Sequence, residues 1–231
     1  MNYLAESCAW QNKHADCYIY VILSDSAAEV YTSRPTASIF MCRDATESLP
    51  SNVFVVIIGF TAWTNLMMKT TKIRAQPLNN HNKQIDYKVI YGSLFEATIL
   101  HESKYSHFGW MDPDILIGDV NLFMEDWRWD IYTTYFGGGY QDDTLSGQLT
   151  IFRNNNKYRH LWESIPELRG KLNSPFEYGS DERVLGEYVF QQFRKGSFLR
   201  FSHDQHSFTL FNHGVAGEIY FYRGHLYNTD T

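Results

Sequence analysis

Cysteine, proline and long apolar runs are all scarce in this chain, and each shortage removes a class of protein. The three cysteines, Cys8, Cys17 and Cys42, are an odd number, widely spaced and without a CxxC pair. They give neither a disulfide framework nor a zinc knuckle, so a reducing compartment is the expectation. The longest apolar run, from Val53 to Ile58 and extended by Gly59 and Phe60, is far shorter than the ~20 residues of a membrane helix. No transmembrane segment is expected. The opening Met1-Asn2-Tyr3-Leu4-Ala5-Glu6 lacks the basic and apolar regions of a signal peptide. A soluble cytoplasmic protein follows as the expectation, free or peripheral to a membrane. Basic residues are also in deficit: 20 Lys and Arg against 26 Asp and Glu leave a net charge of −6. Such a chain gains nothing from phosphate-backbone attraction, so no nucleic-acid partner is expected. With 6 prolines and no Pro/Gly/Ser-rich stretch there is no linker, and no internal repeat is visible. One domain, 1–231, is the reading. GxSxG, Walker and GxGxxG motifs are absent, and Gly137–Gly139 has no Lys-Ser/Thr sequel. Nucleophilic-hydrolase and P-loop readings are therefore weak.

What is present is a core. Hydrophobic residues make up 44% of the chain and charged ones 20%, which excludes wholesale disorder. The 16 Tyr, 16 Phe and 6 Trp can stack on sugars or bases, but taken alone they favour core filling. Strands are expected at 17–24 and 53–58, with a short one at 38–42. A loop is expected over 70–83. Tyr87, Ile90, Tyr91, Leu94 and Phe95 follow helical spacing, with Asp86 where an N-cap belongs. A strand at 106–111 runs into Asp112-Pro113-Asp114, and another spans 145–152. Tyr158, Leu161, Trp162 and Ile165 are again helical in spacing. A last helix begins near Asp181, with Val184, Leu185, Tyr188, Val189 and Phe193 inward. The tail from 198 reads as short strands or irregular segments. Alternating strands and helices favour an α/β fold with a mixed sheet.

Several groups of residues can carry chemistry. Pro113 pushes the residue before it towards extended backbone, where Asp112 and Asp114 can face one side. Paired hard oxygens at a strand end suit Mg²⁺ or Mn²⁺. The same three residues are also ordinary turn formers. Asp181-Glu182, after Gly179-Ser180, can offset a helix dipole or serve as general base or hydroxyl ligand. Ser146-Gly147 can let backbone approach a bound sugar, or can simply bend. The tail histidines His203, His206 and His213 are open as metal ligands or as ordinary satisfied residues.

The blocks Asp86-Tyr87-Lys88 with Tyr91-Gly92-Ser93-Leu94-Phe95, Phe108-Gly109-Trp110-Met111-Asp112-Pro113-Asp114, and Gly118-Asp119-Val120 stand in a familiar order. Ser146-Gly147-Gln148-Leu149-Thr150-Ile151-Phe152-Arg153-Asn154 and Asp181-Glu182 follow them. Together they resemble GT-A-type glycosyltransferases of bacterial polysaccharide clusters and large DNA viruses. That group carries a D-[FY]-K-P-x-[YF]-G-x-x-F helix, an F-W-G-x-x-D-x-D strand end, G-D-[IV], S-G-x-x-T-x-[FY]-R-N and a late D-E. The likeness covers roughly residues 86–190; Val89 replaces the group's Pro, and His107-Phe108 its F-W. Members open with a strand, whereas residues 2–12 look like the helix that follows it, so the first strand is expected to be missing.

The resemblance implies a single GT-A-like nucleotide-sugar-binding domain with a central mixed, mostly parallel sheet flanked by helices. It implies transfer of a hexosyl or pentosyl group from a UDP- or GDP-sugar donor to a glycan acceptor. Asp112 and Asp114 would be the DxD pair holding Mn²⁺ or Mg²⁺, with His213 counted in the metal set. Asp86, Lys88, Asp112, Ser146 and Gly147 would line the donor. Asp181 and Glu182 would hold or deprotonate the acceptor. The rivals are a carbohydrate-binding scaffold on the same fold and a metal-dependent nucleotidyltransferase.

Overall fold

Runs of β-branched and aromatic residues form the strands of the computed structural model. It describes residues 16–27, 52–100, 105–112, 129–134, 145, 147, 149–195, 201–204, 219–222 and 225–228. The described strands are β1 (Cys17–Leu23), β2 (Val53–Gly59), β3 (His107–Met111), β4 (Ile131–Thr134), β5 (Leu149–Arg153), β6 (Phe201–Asp204), β7 (Ile219–Tyr222) and β8 (His225–Asn228). The helices are α1 (Phe60–Thr71), α2 (His81–Asp86), α3 (Tyr91–Leu94), α4 (Asn156–Arg159), α5 (Leu168–Asn173) and α6 (Leu185–Arg194). The fold is mixed α/β. Among the described residues no helix is long and apolar enough to cross a membrane.

The chain divides into two compact units. One comprises residues 1–60, 113–126 and 206–231. In it β1 and β2 pair in parallel, from Cys17 opposite Val53 to Leu23 opposite Gly59. Tyr18 stacks on Phe54 across the pair, with ring centroids 4.8 Å apart. Such cross-strand aromatic pairs each stabilise a sheet by roughly 0.2–1 kcal/mol. In the same unit β7 and β8 form an antiparallel pair.

The other unit comprises residues 61–112 and 127–205 and holds a four-stranded sheet in the order β3-β5-β4-β6. β5 pairs antiparallel with β3 and with β4, whereas β4 and β6 run parallel. The expected mostly parallel sheet is therefore corrected. Antiparallel pairings outnumber parallel ones among the described strands, because β5 runs against both of its neighbours, β3 and β4, and β7 against β8. Phe152 of β5 meets Phe108 at 5.7 Å and Trp110 at 5.1 Å, all on one face. Val89, Leu161, Trp162 and Leu185 close over that aromatic cluster.

Between α2 and α3 the backbone tightens into a 3₁₀ turn, Tyr87–Ile90, all four residues of which are buried. A mid-helix 3₁₀ stretch is the kind of irregularity that marks strain or function. The helical stretch starts earlier than Asp86: Asn80 is its N-cap, its side chain accepting from the Lys83 amide. Asp86 makes no side-chain cap bond to the turn that follows it, which corrects the N-cap expectation. The strand expected from 145 begins only at Leu149, because Leu145 N–H donates instead to the Glu182 carbonyl at 3.0 Å. The last helix opens as a π turn, Ser180–Val184, and continues as α6. Val184, Leu185 and Val189 face inward as expected, but Phe193, near the end of α6, is exposed. The strand expected at 38–42 lies outside the described residues.

Candidate functional site

The sheet register sets up the meeting point. The last ladder pair of β3 and β5 places Met111 opposite Leu149. Asp112 follows Met111 directly, and Gly147 stands two residues ahead of Leu149. Lys88, on the 3₁₀ turn, reaches both. Its Nζ donates to Asp112 Oδ1 at 2.8 Å and to the Gly147 carbonyl at 2.6 Å. The Lys88 side chain is 7% exposed and that of Asp112 26%, so the ammonium is enclosed while the carboxylate keeps an open side.

Two residues earlier on the same turn of chain, Asp86 leaves towards different neighbours. It is buried, and its Oδ1 accepts from the Gly179 and Ser180 amides, each at 3.1 Å. Its Oδ2 accepts from Lys83 Nζ at 3.1 Å. The Lys83 ammonium is fully buried and spends its other protons on the carbonyls of Lys171, at 2.6 Å, and Glu177, at 2.7 Å. A buried cation with every donor engaged is tolerable; one without partners is not. The carboxylate of Asp86 thus caps the start of the π turn from 93 and 94 residues away. Among the described residues the buried Ser180 Oγ has no hydrogen-bond partner. Gly179, at φ 79°, turns the chain into the helix in the left-handed region that glycine occupies without strain.

Among the expected site residues, Asp86, Lys88, Asp112, Gly147 and the exposed Glu182 are therefore placed. Asp181 follows Ser180 in the π turn, and its side chain, together with Ser146, Asp114 and His213, lies outside the described residues. Among the described residues no group of three or more His, Cys, Asp or Glu converges. Tyr87, between Asp86 and Lys88, keeps its phenolic proton near neutrality. Burial, opposed by the Gln76 amide bonded to its oxygen, pushes its hydroxyl up to about 12.

Two features were not legible from the sequence. Lys83 was expected in a loop, and nothing local distinguishes a lysine destined for full burial. The second is a row formed by Ser93, His160 and Glu96, with Ser93 Oγ 3.2 Å from His160 Nδ1 and His160 Nε2 3.0 Å from Glu96 Oε2. It imitates a hydrolase triad but is not one. The Ser93 hydroxyl is buried, donates to the Arg159 carbonyl at 2.8 Å and accepts from Trp162 Nε1 at 2.8 Å.

Comparison with curated proteins and with solved structures returned no match. Residues 30–228 match the model of a family of unknown function, DUF6625, and the chain belongs to that family.

Proposed function

We propose that this chain is a divalent-metal-dependent glycosyltransferase, built on a GT-A-like domain, that moves a sugar from a UDP- or GDP-sugar to a glycan acceptor. The observation that carries the reading is the convergence on one short helical stretch. Lys88 joins the strand end at Asp112 to Gly147, and Asp86 joins the same stretch to the start of the acid-bearing helix at Gly179 and Ser180. Two of the five motif blocks that resemble the glycosyltransferase pattern thus contact the first directly, and Asp86 holds the two amides just ahead of the Asp181-Glu182 block.

The donor set suits the metal. Asp112 presents a hard carboxylate, part-exposed at a strand end and fixed in orientation by the Lys88 ammonium. Mg²⁺ and Mn²⁺ favour such oxygens and retain water or phosphate ligands alongside them. Asp112 and Asp114 would hold the cation, which when bound neutralises charge developing on a diphosphate leaving group. Lys88 holds Asp112 and lends positive charge next to it. Gly147, buried and held through its carbonyl by Lys88, would shape the donor side of the site. Asp181 or Glu182 holds the acceptor hydroxyl or takes its proton. Asp86 acts at one remove, by fixing the helix start that carries those acids.

A thermal-shift titration tests this. Wild type with Mn²⁺ and its UDP- or GDP-sugar, at about 100 times Kd, should gain about 2.7 kcal/mol of apparent stability. Asp112→Asn should melt lower without ligand, because the enclosed Lys88 ammonium loses its counter-charge, and should lose most of the ligand-induced gain measured from its own ligand-free midpoint. A shift that is the same in Asp112→Asn, or absent with every donor, contradicts the assignment.

A further inference from the structure

Phe176 is 84% exposed, whereas the other exposed large hydrophobics among the described residues range from 37% to 48%. Its exposure does not come from a loose loop. The Phe176 amide donates to Ser174 Oγ at 3.3 Å, and the Pro175 carbonyl accepts from Asn80 Nδ2 and from the Tyr178 hydroxyl, each at 3.0 Å. The next carbonyl, Glu177, is held by the buried Lys83 ammonium, and the Gly179 amide by Asp86. A fully buried lysine therefore holds in place a segment that displays an aromatic ring to solvent. The backbone that carries the ring is preorganised, so a ligand covering it loses little entropy in ordering the chain.

We infer that Phe176, with Tyr178 beside it, is a stacking platform for a pyranose ring of the acceptor glycan. The inference rests on the glycosyl-transfer reading above. Size argues for a ring-sized occupant. A stable protein interface covers ~800 Å² on each partner, whereas one aromatic side chain supplies roughly 150–250 Å². Charge argues for a neutral one. Glu177, Asp181 and Glu182 outnumber Lys171 and Arg183 along this stretch, which disfavours a nucleotide and offers acceptors to sugar hydroxyls. The C–H face of a pyranose suits the electron-rich face of an aromatic ring. Continuity argues for the acceptor side, because Gly179 turns this segment directly into the helix start with Asp181 and Glu182.

Saturation-transfer NMR on the full chain, without donor or metal, tests the platform. The probes are methyl pyranosides, cellobiose and maltose, with UMP and GMP as controls. The expected result is transfer to saccharide ring protons in wild type, an affinity about tenfold weaker in Phe176→Ala, and recovery in Phe176→Trp. Because Phe176 is exposed, all three proteins should melt alike. Saccharide binding that is absent from wild type or unaffected by Phe176→Ala overturns the platform, as does a loss confined to UMP or GMP. Metal-dependent donor hydrolysis, measured on the same proteins, reports the transfer reading independently. Hydrolysis with unchanged saccharide binding in Phe176→Ala removes the platform alone. Phe176-dependent saccharide binding without any hydrolysis upholds the platform and removes the transfer reading.

Discussion

Lys88 Nζ sits 2.8 Å from Asp112 Oδ1, across 24 residues of chain, and the same ammonium holds the Gly147 carbonyl. This contact fixes where a strand end, a strand entry and a helical turn meet. Lys88→Met keeps the aliphatic stem and removes the charge-assisted bonds. Stability should fall by about 1.5–3 kcal/mol, and metal-supported donor binding should fall with it. Urea unfolding and donor titration, run on the same variant, check both. A stable variant with intact donor binding would contradict both roles given to Lys88.

The Lys83–Asp86 pair should behave as a buried, hydrogen-bonded ion pair. Replacing one partner, as in Asp86→Asn or Lys83→Met, leaves the other charge buried without its counter-charge. Each single variant should lose about 3–5 kcal/mol. The double variant should lose less than the sum, because the residues share one network. Additive losses in a double-mutant cycle would show that the two side chains act separately.

His160 gives a pH signature. Burial works against its charge, but hydrogen bonds to Glu163 and Glu96 outweigh it and raise its pKa above 6.5. The folded chain therefore binds the proton more tightly than the unfolded one. The contribution is full below 6.5 and is lost as pH rises through the folded value. His107 has the opposite sign. Burial, opposed by the Trp129 carbonyl, lowers its pKa, so its contribution is lost as pH falls below 6.5. The Tm difference between wild type and His160→Gln isolates the first effect, and it should be larger near about pH 6 than near about pH 8.5. A difference independent of pH would contradict it.

Gly92 explains one letter of the sequence pattern by packing. A Cβ there would lie 2.7 Å from Arg159 Cα and 2.8 Å from its carbonyl oxygen, backbone atoms that cannot swing aside. Gly92→Ala should lower stability by about 1–3 kcal/mol, read as a lower urea midpoint at unchanged slope.

Local pattern made β1, β2 and β3 legible, because β-branched and aromatic runs of that length pack as strands. The inward face of Tyr87, Ile90, Leu94 and Phe95 was legible for the same kind of reason. α1 was not. It follows β2 without an intervening turn and buries only Trp63, Met67 and Thr71, while the exposed apolar residues Ala62 and Met68 blur the face. β4 is too short to show a period. Strand direction was misjudged because pairing is set by tertiary contacts that no window of sequence contains. The positions of Asp86, Lys88, Asp112 and Gly147 were legible from the motif blocks, but their partners were not. That Asp86 caps a helix starting 94 residues later depends on the burial of Lys83, which hydropathy reads as a solvated lysine.

The most direct test is release of nucleoside diphosphate, separated by anion exchange, from a panel of UDP- and GDP-sugars with and without Mn²⁺. The account predicts release from at least one donor that requires Mn²⁺ and is lost in Asp112→Asn. No release from any donor, release indifferent to Mn²⁺ and Asp112, or sugar 1-phosphate in place of the nucleoside diphosphate would contradict it.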